Sequence, residues 1–384
     1  MRKFLILLNK FVIKSKACVF VYPHPNCKID KYDLANFTAD NSLCIVNKFL
    51  RNYKGKKLKI YLTTFVKKRI NFLKSYVSSF NNKSLKIRFI YNNGSLNSKL
   101  KFYYYSFKSS LLLCSTPSIT FPFKTKKQHC ICLNYSTPLK KGPQNKNENQ
   151  YKCFDSYLET SHLTGKIHSD MYKLKPNSVI NLGFPRNDYI LRNEKAHELE
   201  KIIKKQFDCK SIFVYAPTYR DSEINDKAPF FTDKFYNFIK KNKILIMYKP
   251  HPLQKFELIG SNEYVYRYEA SYQFSLYDWL ALSDGLISDY SSVIHDYIVS
   301  DKPIIIFAPD RDKFENDRGF CFDNLNDIIP NSICESEEQL INSISSSIKK
   351  NSLTPKYYEV KSLFHTYSDN YTDRVYNYLL EILE

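Results

Sequence analysis

A histidine held between two prolines is the first feature of this sequence that could do chemistry. His251 stands in the segment Lys249-Pro250-His251-Pro252, directly after the apolar run 244–248. Proline fixes its own backbone and restricts the residue before it, so the imidazole is presented in a nearly fixed geometry. Such an imidazole can act as an acid or base, or bind a phosphate. The alternative is a histidine that merely lies in a turn.

Residue types that bind phosphate follow other apolar runs. Thr218 and Arg220 come after the run 211–215 and offer a hydroxyl and a guanidinium that can fork onto phosphate oxygens. The alternative for Arg220 is a surface ion pair with Asp221. Arg318, in Asp317-Arg318-Gly319-Phe320, is a second arginine that could close over a ligand, although by itself this segment predicts no more than a turn.

Two serines stand at the predicted start of a helix. Ser291 and Ser292 follow the apolar run 285–288 and precede a helical stretch that begins at Val293. Unpaired backbone N–H groups and the helix dipole at such a start favour a diphosphate. The alternative is that a serine only caps the helix, which is compatible with phosphate binding.

The elements that must position these residues are those of an α/β protein. Apolar, β-branched runs alternate with helical stretches in both halves, which is typical of parallel sheets covered by helices. In open α/β sheets, ligands bind at the carboxyl ends of the strands, where the residues above stand. The length of 384 residues predicts two domains, assigned to 1–175 and 176–384, and a closing helix over 373–384. The strands are predicted over 58–62, 87–91, 111–114 and 130–133 in the first half, and over 179–182, 211–215, 244–248, 285–288 and 303–307 in the second.

The formal charge of +20 favours an anionic partner. Abundant Lys, Asn and Ile with scarce Gly and Ala indicate a compositionally biased genome, which accounts for most of the positive charge. The remaining charge suits a phosphate-rich substrate or an anionic membrane face. Since no apolar run approaches the ~20 residues of a membrane span, a globular chain is predicted. The opening apolar residues are interpreted as a strand or a surface helix rather than a signal peptide.

Several site classes are excluded by their missing motifs. The eight glycines form neither a dinucleotide-binding nor a Walker A loop, so neither cofactor class is predicted. The ten cysteines are scattered without a Cys-x-x-Cys pair, which favours reduced thiols. His129, Cys130 and Cys132 have no second ligand cluster at zinc-like spacing, so no metal site is predicted.

Taken in order, the motifs resemble the CDP-glycerol glycerophosphotransferase family of teichoic acid and capsule synthesis, most strongly from Pro138 to Asp323. The resemblance implies a GT-B architecture of two Rossmann-like domains with a cleft between them. The motifs that carry it are Pro185-Arg186-Asn187-Asp188, Ala216-Pro217-Thr218-Tyr219-Arg220-Asp221, Lys249-Pro250-His251-Pro252, Asp289-Tyr290-Ser291-Ser292, Asp296-Tyr297, Lys302-Pro303 and Arg318-Gly319-Phe320.

The resemblance also implies roles for individual residues. His251 would be one of two functional histidines, and a terminal polyol hydroxyl would attack the β-phosphorus of the donor, with CMP leaving. No cofactor is implied, because phosphoryl transfer asks mostly for positioning and charge neutralisation. The implied donor-binding residues are Thr218, Arg220, Lys249, Ser291, Ser292, Asp296 and Arg318, and those of the acceptor-side loop are Thr137 and Lys140.

One segment departs from the family. Trp-His-Gly-Thr-Pro-Leu-Lys is usual there, with its histidine taken as the base, whereas this chain has Asn134-Tyr135-Ser136-Thr137-Pro138-Leu139-Lys140. A phenol with a pKa near 10 is a poor base at neutral pH. His129, His24 or the acceptor phosphate could take the role, or the donor or acceptor could differ, or the enzyme could be impaired.

Three hypotheses follow. The first is a transferase that moves glycerol phosphate or ribitol phosphate from a CDP-activated donor to a polymeric or lipid-linked acceptor. It would work in the cytoplasm, in peripheral contact with the inner, anionic membrane face and without nucleic acid. The second is a GT-B glycosyltransferase that uses a nucleotide sugar, since the same residues can hold any nucleoside diphosphate. The third is a basic, non-catalytic binder of nucleic acid or anionic polymer.

Overall fold

The computed structural model describes residues 2–23, 40–65, 67–141, 148–191, 194–218, 232–249, 263–267, 275–349 and 353–384, and it contains two parallel sheets. The strands of the first are β1 Ser15–Tyr22, β2 Leu58–Thr64, β3 Leu85–Tyr91, β4 Ser109–Cys114, β5 His129–Cys132, β6 Ser156–Glu159 and β7 Val179–Asn181. Those of the second are β8 Ser211–Tyr215, β9 Ile244–Tyr248, β10 Val265–Arg267, β11 Gly285–Ser288, β12 Ile304–Phe307 and β13 Ile333–Cys334.

Helices cover the sheets, as the alternation in the sequence predicts. Their bounds are α1 Arg2–Phe11, α2 Asn41–Asn52, α3 Lys67–Ser78, α4 Leu96–Lys108, α5 His162–Tyr172, α6 Asn187–Leu191, α7 Glu194–Gln206, α8 Asp233–Asn242, α9 Leu276–Leu282, α10 Val293–Tyr297, α11 Arg311–Asp317, α12 Glu337–Lys349, α13 Pro355–Phe364 and α14 Tyr371–Leu383. Short 3-10 turns cover Glu148–Cys153, Ile298–Ser300 and Leu325–Asp327. Among these described helices, none joins the length and apolar character that a membrane crossing requires.

Both sheets have the doubly wound strand order. The first runs β3-β2-β1-β4-β5-β6-β7 and the second β10-β9-β8-β11-β12-β13. Each order reverses once, between β1 and β4 in the first sheet and between β8 and β11 in the second. Such a reversal opens a crevice at the carboxyl ends of the two strands, where ligands bind in open α/β sheets.

The chain crosses between the two halves twice. Strand β7 lies after residue 175 yet pairs with β6, so its assignment to the second half was wrong, while the division at 175/176 stays a prediction. The predicted closing helix is present as α14, and it packs on the first half, where Val375 and Leu379 join the core beside Phe49. Gly183, with φ +81°, begins the passage into the second half, and a Cβ there would collide with the ring of Tyr371.

Candidate functional site

A buried aspartate ties together the two loops at the strand reversal of the second sheet. Asp289, 2% exposed, follows β11, and its Oδ1 and Oδ2 accept the backbone N–H of Thr218, after β8, at 2.9 and 3.1 Å. Its Oδ1 also accepts the N–H of Tyr290 at 2.5 Å, and the Ser288 hydroxyl donates to the Ala216 carbonyl at 2.7 Å. These contacts fix both loops at the place where doubly wound sheets bind their ligands.

The two predicted phosphate-binding serines lie beside this crossing, both half-buried. Ser292 precedes α10 and makes no side-chain cap bond within the described part of the chain. The hydroxyl of Ser291 accepts the N–H of Val293 only at 3.5 Å. Capping therefore makes little use of either hydroxyl, which leaves phosphate binding as a role open to both.

Lys249 joins the same edge, because β9, β8 and β11 are adjacent parallel strands. Its N–H donates to the carbonyl of Tyr215 at 2.8 Å, which holds the end of β9 against the end of β8. The structure thus brings together Thr218, Lys249, Ser291 and Ser292. Two further predicted residues, Arg220 and His251, lie outside the described residues.

The side chain of Tyr290 packs against the segment that contains Arg318, at the end of α11. Its ring is buried and stacks on Phe314 at 4.2 Å between centroids, with Phe320 at 5.4 Å. Arg318 ends α11 through its N–H, which donates to the Phe314 carbonyl at 2.9 Å, and its side chain is exposed. The aromatic cluster therefore connects the serine loop to the neighbourhood of Arg318.

The acceptor-side loop of the first half pairs with that same segment. Lys140 and Phe320 form an antiparallel bridge, and the N–H of Cys321 donates to the Leu139 carbonyl at 2.9 Å. Gly319 has φ +68°, a conformation that L side chains rarely adopt, and it accepts the N–H of Lys141 at 3.3 Å. The loop with buried Thr137 and half-buried Lys140 thus lies directly against the donor half.

A buried polar network supports the start of this loop. Asn134 has φ +49°, and its amide donates to Glu159 Oε1 at 2.9 Å while its Oδ1 accepts the N–H of Tyr135 at 2.7 Å. The same Glu159 oxygen lies 2.5 Å from Nδ1 of His168, and both of these side chains are almost fully buried. Sequence analysis missed Glu159 and His168. Their only signal was a carboxylate at a strand end with a histidine nine residues later.

Asp296 is a buried partner of Arg186 and Tyr277. It is 3% exposed, and its Oδ2 accepts from Arg186 Nη2 at 2.8 Å and from the hydroxyl of Tyr277 at 2.7 Å. Burial raises the pKa of Asp296, and this effect outweighs the charge of Arg186, which lowers the pKa. A buried carboxylate so engaged would also repel a phosphate. Asp296 therefore holds Arg186 in place, and its assignment to the donor stays a prediction.

Arg186 extends this contact into the first half. The backbone N–H of Arg186 donates to Oδ1 of Asn41 at 3.2 Å. The side-chain amide of Asn41 in turn donates to the carbonyls of Leu133 at 3.0 Å and Asn134 at 2.8 Å. A continuous chain of hydrogen bonds therefore joins the helix behind the serines to the loop that bears Tyr135.

The structure also tests the substitutes for a catalytic base. Tyr135 is 40% exposed, and desolvation raises the pKa of its phenol, which makes it a still poorer base. His129 begins β5 and is bound to the Ser156 hydroxyl at 2.8 Å. Four steps along the strand lead from it to Leu133, or about 13 Å at ~3.3 Å each, so His129 lies at the opposite edge of the sheet. His24 lies outside the described residues.

The described residues contain no group of three or more His, Cys, Asp or Glu side chains that could hold a metal ion. The geometry instead presents hydroxyl, ammonium and backbone groups on three adjacent strand ends, facing a loop from the other half.

The family profile described as CDP-Glycerol:Poly(glycerophosphate) glycerophosphotransferase matches residues 39–381. The chain belongs to this family. Among curated relatives, it is 27% identical over 226 residues to a teichoic acid glycerol-phosphate primase of Bacillus subtilis (strain 168), covering 58% of this chain and 55% of the relative. It is 25% identical over 220 residues to the teichoic acid ribitol-phosphate polymerase TarL of Staphylococcus aureus (strain NCTC 8325 / PS 47), covering 55% and 39%. The chain thus spans about half or less of these two relatives.

Solved structures confirm the GT-B-like fold of this family member. The wall teichoic acid polymerase TagF matches with a TM-score of 0.75 at 18% identity, covering 100% of this chain and 93% of that chain. A putative UDP-N-acetylglucosamine 2-epimerase from Listeria monocytogenes matches with a TM-score of 0.55 at 10% identity, covering 96% of each chain. The predicted fold class and family are both confirmed.

Proposed function

We propose that this protein transfers glycerol phosphate or ribitol phosphate from a CDP-activated donor to a teichoic-acid-like or capsular polymer and releases CMP. The observation that carries the proposal is the Asp289 to Thr218 contact, which fixes two family motifs at the strand reversal of the second sheet. Membership of a family described by this reaction, with relatives named as teichoic acid primases and polymerases, supports it.

In this proposal the two halves divide the work, with the half that contains the first sheet on the acceptor side and the half that contains the second sheet on the donor side. Ser291, Ser292, Arg220 and Arg318 hold the donor pyrophosphate, supported by Thr218 and Lys249. The terminal hydroxyl of the acceptor attacks the β-phosphorus, and the bond between that phosphorus and the CMP oxygen breaks. Charge neutralisation by these groups lowers the barrier, as phosphoryl transfer requires.

His251 is proposed as the catalytic histidine, because it stands between two prolines in the sequence. Thr137 and Lys140 are proposed to contact the acceptor or the donor from across the cleft. Their loop pairs with the segment that follows Arg318, so a ligand bound there meets both halves.

A donor panel tests the reaction. Purified protein receives CDP-glycerol, CDP-ribitol, UDP-sugars or GDP-sugars with a primed acceptor, and nucleotide release is followed. CMP release from a CDP-polyol is expected, whereas UDP or GDP release would establish the glycosyltransferase hypothesis instead. Binding of nucleic acid that falls steeply with salt, without donor binding, would favour the non-catalytic hypothesis.

Two variants test His251. His251→Ala is expected to lose CMP release, while His197→Ala, a change at a histidine whose side chain is 87% exposed on α7, is expected to retain it. Normal activity of His251→Ala would remove His251 from the mechanism.

We further propose that the protein works at the cytoplasmic face of the membrane through α1 and the residues after it. Leu7, Leu8, Phe11 and Ile13 are 51%, 42%, 78% and 88% exposed, and Lys10 stands in the last turn of the helix. Exposed apolar side chains beside a cation favour an anionic lipid surface. Phe11→Ser/Ile13→Ser should reduce sedimentation with phosphatidylglycerol vesicles, and Ile348→Ser/Leu363→Ser should not. Equal sedimentation of the two variants would contradict the proposal.

A further inference from the structure

Two cavities lie end to end between the edge strand β3 and helix α4, and they share Arg88 and Tyr105. The first has a volume of about 230 Å³ and is lined by four cations, Lys59, Lys86, Arg88 and Lys108, with Tyr104 and Tyr105. The second, of about 410 Å³, is lined by Asn93, Ser95, Asn97, Ser98 and Lys101 beside the shared pair. Together they form one surface channel, which we name the edge groove.

Like charges are concentrated in the first cavity by the sheet register itself. Lys59 on β2 pairs directly with Lys86 on β3, and Arg88 follows Lys86 on the same face. Lys108, at the last turn of α4, adds a fourth cation. Among the described residues that line either cavity, none is acidic. Because facing like charges on neighbouring strands repel one another, an anionic ligand would stabilise this arrangement.

The guanidinium at the junction of the two cavities is already held in place. Arg88 Nη1 donates to the hydroxyl of Tyr105 at 2.6 Å, and the guanidinium lies 5.5 Å from the centre of that ring. An arginine has five N–H donors in a fixed fork, and this contact uses one. A fixed fork of this kind matches the geometry of phosphate oxygens.

The second cavity has a different character. Asn93 and Asn97 bring amides, Ser95 and Ser98 bring hydroxyls, and Lys101 brings one cation. Amides and hydroxyls make hydrogen bonds to uncharged hydroxyl groups. The edge groove therefore offers cations for phosphates and neutral polar groups for hydroxylated carbon units, which is the alternation of a polyol phosphate chain.

The groove also points towards the acceptor-side loop. All strands of the first sheet are parallel, so the second cavity lies at the carboxyl edge of β3, the same edge from which Asn134 to Lys140 follow β5. Four steps between neighbouring strands separate β3 from β5, or about 19 Å at ~4.8 Å each. A chain of a few repeat units can bridge that distance.

We propose that the edge groove binds the phosphodiester backbone of the growing acceptor polymer, behind the end that reacts. This inference rests on the proposed function, because it takes its ligand from that reaction. It adds a binding site in the first half, away from the donor, that would keep the polymer bound between successive additions.

Direct binding tests the groove without any turnover. Lipid-free poly(glycerol phosphate) of defined length is titrated into the protein without donor, at several salt concentrations. Lys86→Ala/Arg88→Ala is expected to weaken binding about tenfold or more, with a shallower salt dependence than wild type, because two phosphate contacts are lost. The matched control is Lys74→Ala/Lys126→Ala, which removes the same charge from exposed sites of the same half.

A kinetic experiment separates this site from the donor site. In the groove variant, the KM for the acceptor should rise more for long acceptors than for those of one or two units, and the control should show wild-type values. An unchanged affinity, an equal loss in the control, or binding only to nucleic acid or phosphatidylglycerol vesicles of matched charge would overturn the groove. If the wild type releases no CMP from any CDP-polyol, the proposed function fails, whatever the polymer titration shows.

Discussion

Arg186 and Asp296 lie 110 positions apart in the chain, yet their side chains form a buried ion pair 2.8 Å long. Arg186 stands where the chain enters the second half, and Asp296 lies on the helix that follows the two serines. The guanidinium also lies 5.2 and 5.4 Å from the rings of Phe184 and Tyr277. Both side chains are almost fully buried, so the orientation of α10 depends on this pair.

Removing the carboxylate charge should be costly. Asp296→Asn leaves the buried guanidinium without its counter-charge, and such a loss costs about 3–5 kcal/mol of unfolding free energy. The control is Asp301→Asn, which disrupts the more exposed pair with Lys361 and should cost about 1 kcal/mol or less. Urea unfolding measures both. A change in the KM for the donor with unaltered stability would instead return Asp296 to the donor site.

The carboxylate of Asp289 should matter for both stability and donor binding. Asp289→Asn replaces one accepting oxygen by an NH2 group, and with the remaining oxygen at the Oδ1 position that group faces the N–H of Thr218. Leaving a buried donor unsatisfied costs about 1–3 kcal/mol. The two loops should separate, and the KM for the donor should rise several-fold. Asp312→Asn, at an exposed position of α11, is the control. An unchanged KM in a destabilised variant would show that the contact supports the fold alone.

Tyr135 should not act as the base. Tyr135→Phe is expected to keep kcat within about threefold of wild type, because loss of a general base costs about 100-fold or more. Desolvation already raises the pKa of this phenol, so it is protonated throughout the neutral range. Tyr135→His supplies the residue type that the family carries there, and its kcat should rise at pH values above the histidine pKa. A collapse of kcat in Tyr135→Phe would contradict this account.

Two buried histidines should make stability fall on mild acidification. Nε2 of His295 donates to the Ile328 carbonyl, and Nε2 of His365 donates to the His295 carbonyl. Nδ1 of each ring is buried and has no partner among the described residues, so both rings are neutral. Burial lowers the pKa of His295 to about 3 and that of His365 to about 4. The unfolded chain takes up protons near pH 6.5, so stability is complete above about pH 7 and declines below it, by about 1 kcal/mol for each histidine at pH 5.5.

Urea titrations between pH 7.5 and 5 check this expectation. His365→Gln keeps an N–H donor for the His295 carbonyl but cannot titrate, so it should remove about half of the pH dependence attributed to the pair. His197→Gln changes a histidine whose side chain is 87% exposed and should leave the dependence intact. Equal slopes in the two variants would be incompatible with titration of His365.

The strands of the second half were the most legible part of the sequence. Runs such as Ile244–Tyr248 and Ile304–Phe307 are buried throughout, and continuous apolar runs are the mark of a strand covered on both faces. Strand β1 was missed because it begins with Ser15 and follows directly on α1. The helix α1 itself confirms the interpretation of the opening residues as a surface helix.

The placement of Thr218, Lys249, Ser291 and Ser292 could also be predicted, because each belongs to a local motif that follows a strand. The buried residues that support these loops through hydrogen bonds could not be predicted. Asn41, Glu159 and His168 meet around Asn134 only after the first sheet has folded, and their spacing in the chain carries no period. Arg186 meets Asp296 only when the second half is also present. For the same reason, the place of Asp296 in its motif does not reveal that it faces Arg186.

Helix α14 has a consequence for how the protein is made. Its Val375, Tyr376 and Leu379 complete the core of the first sheet, although they follow every strand of the second. Domains usually fold in the order in which they leave the ribosome. Here the core of the first half stays incomplete and partly exposed until the second half and α14 have been synthesised. The first half is therefore not expected to be stable when expressed by itself, and a stop codon before residue 371 should damage the acceptor side first.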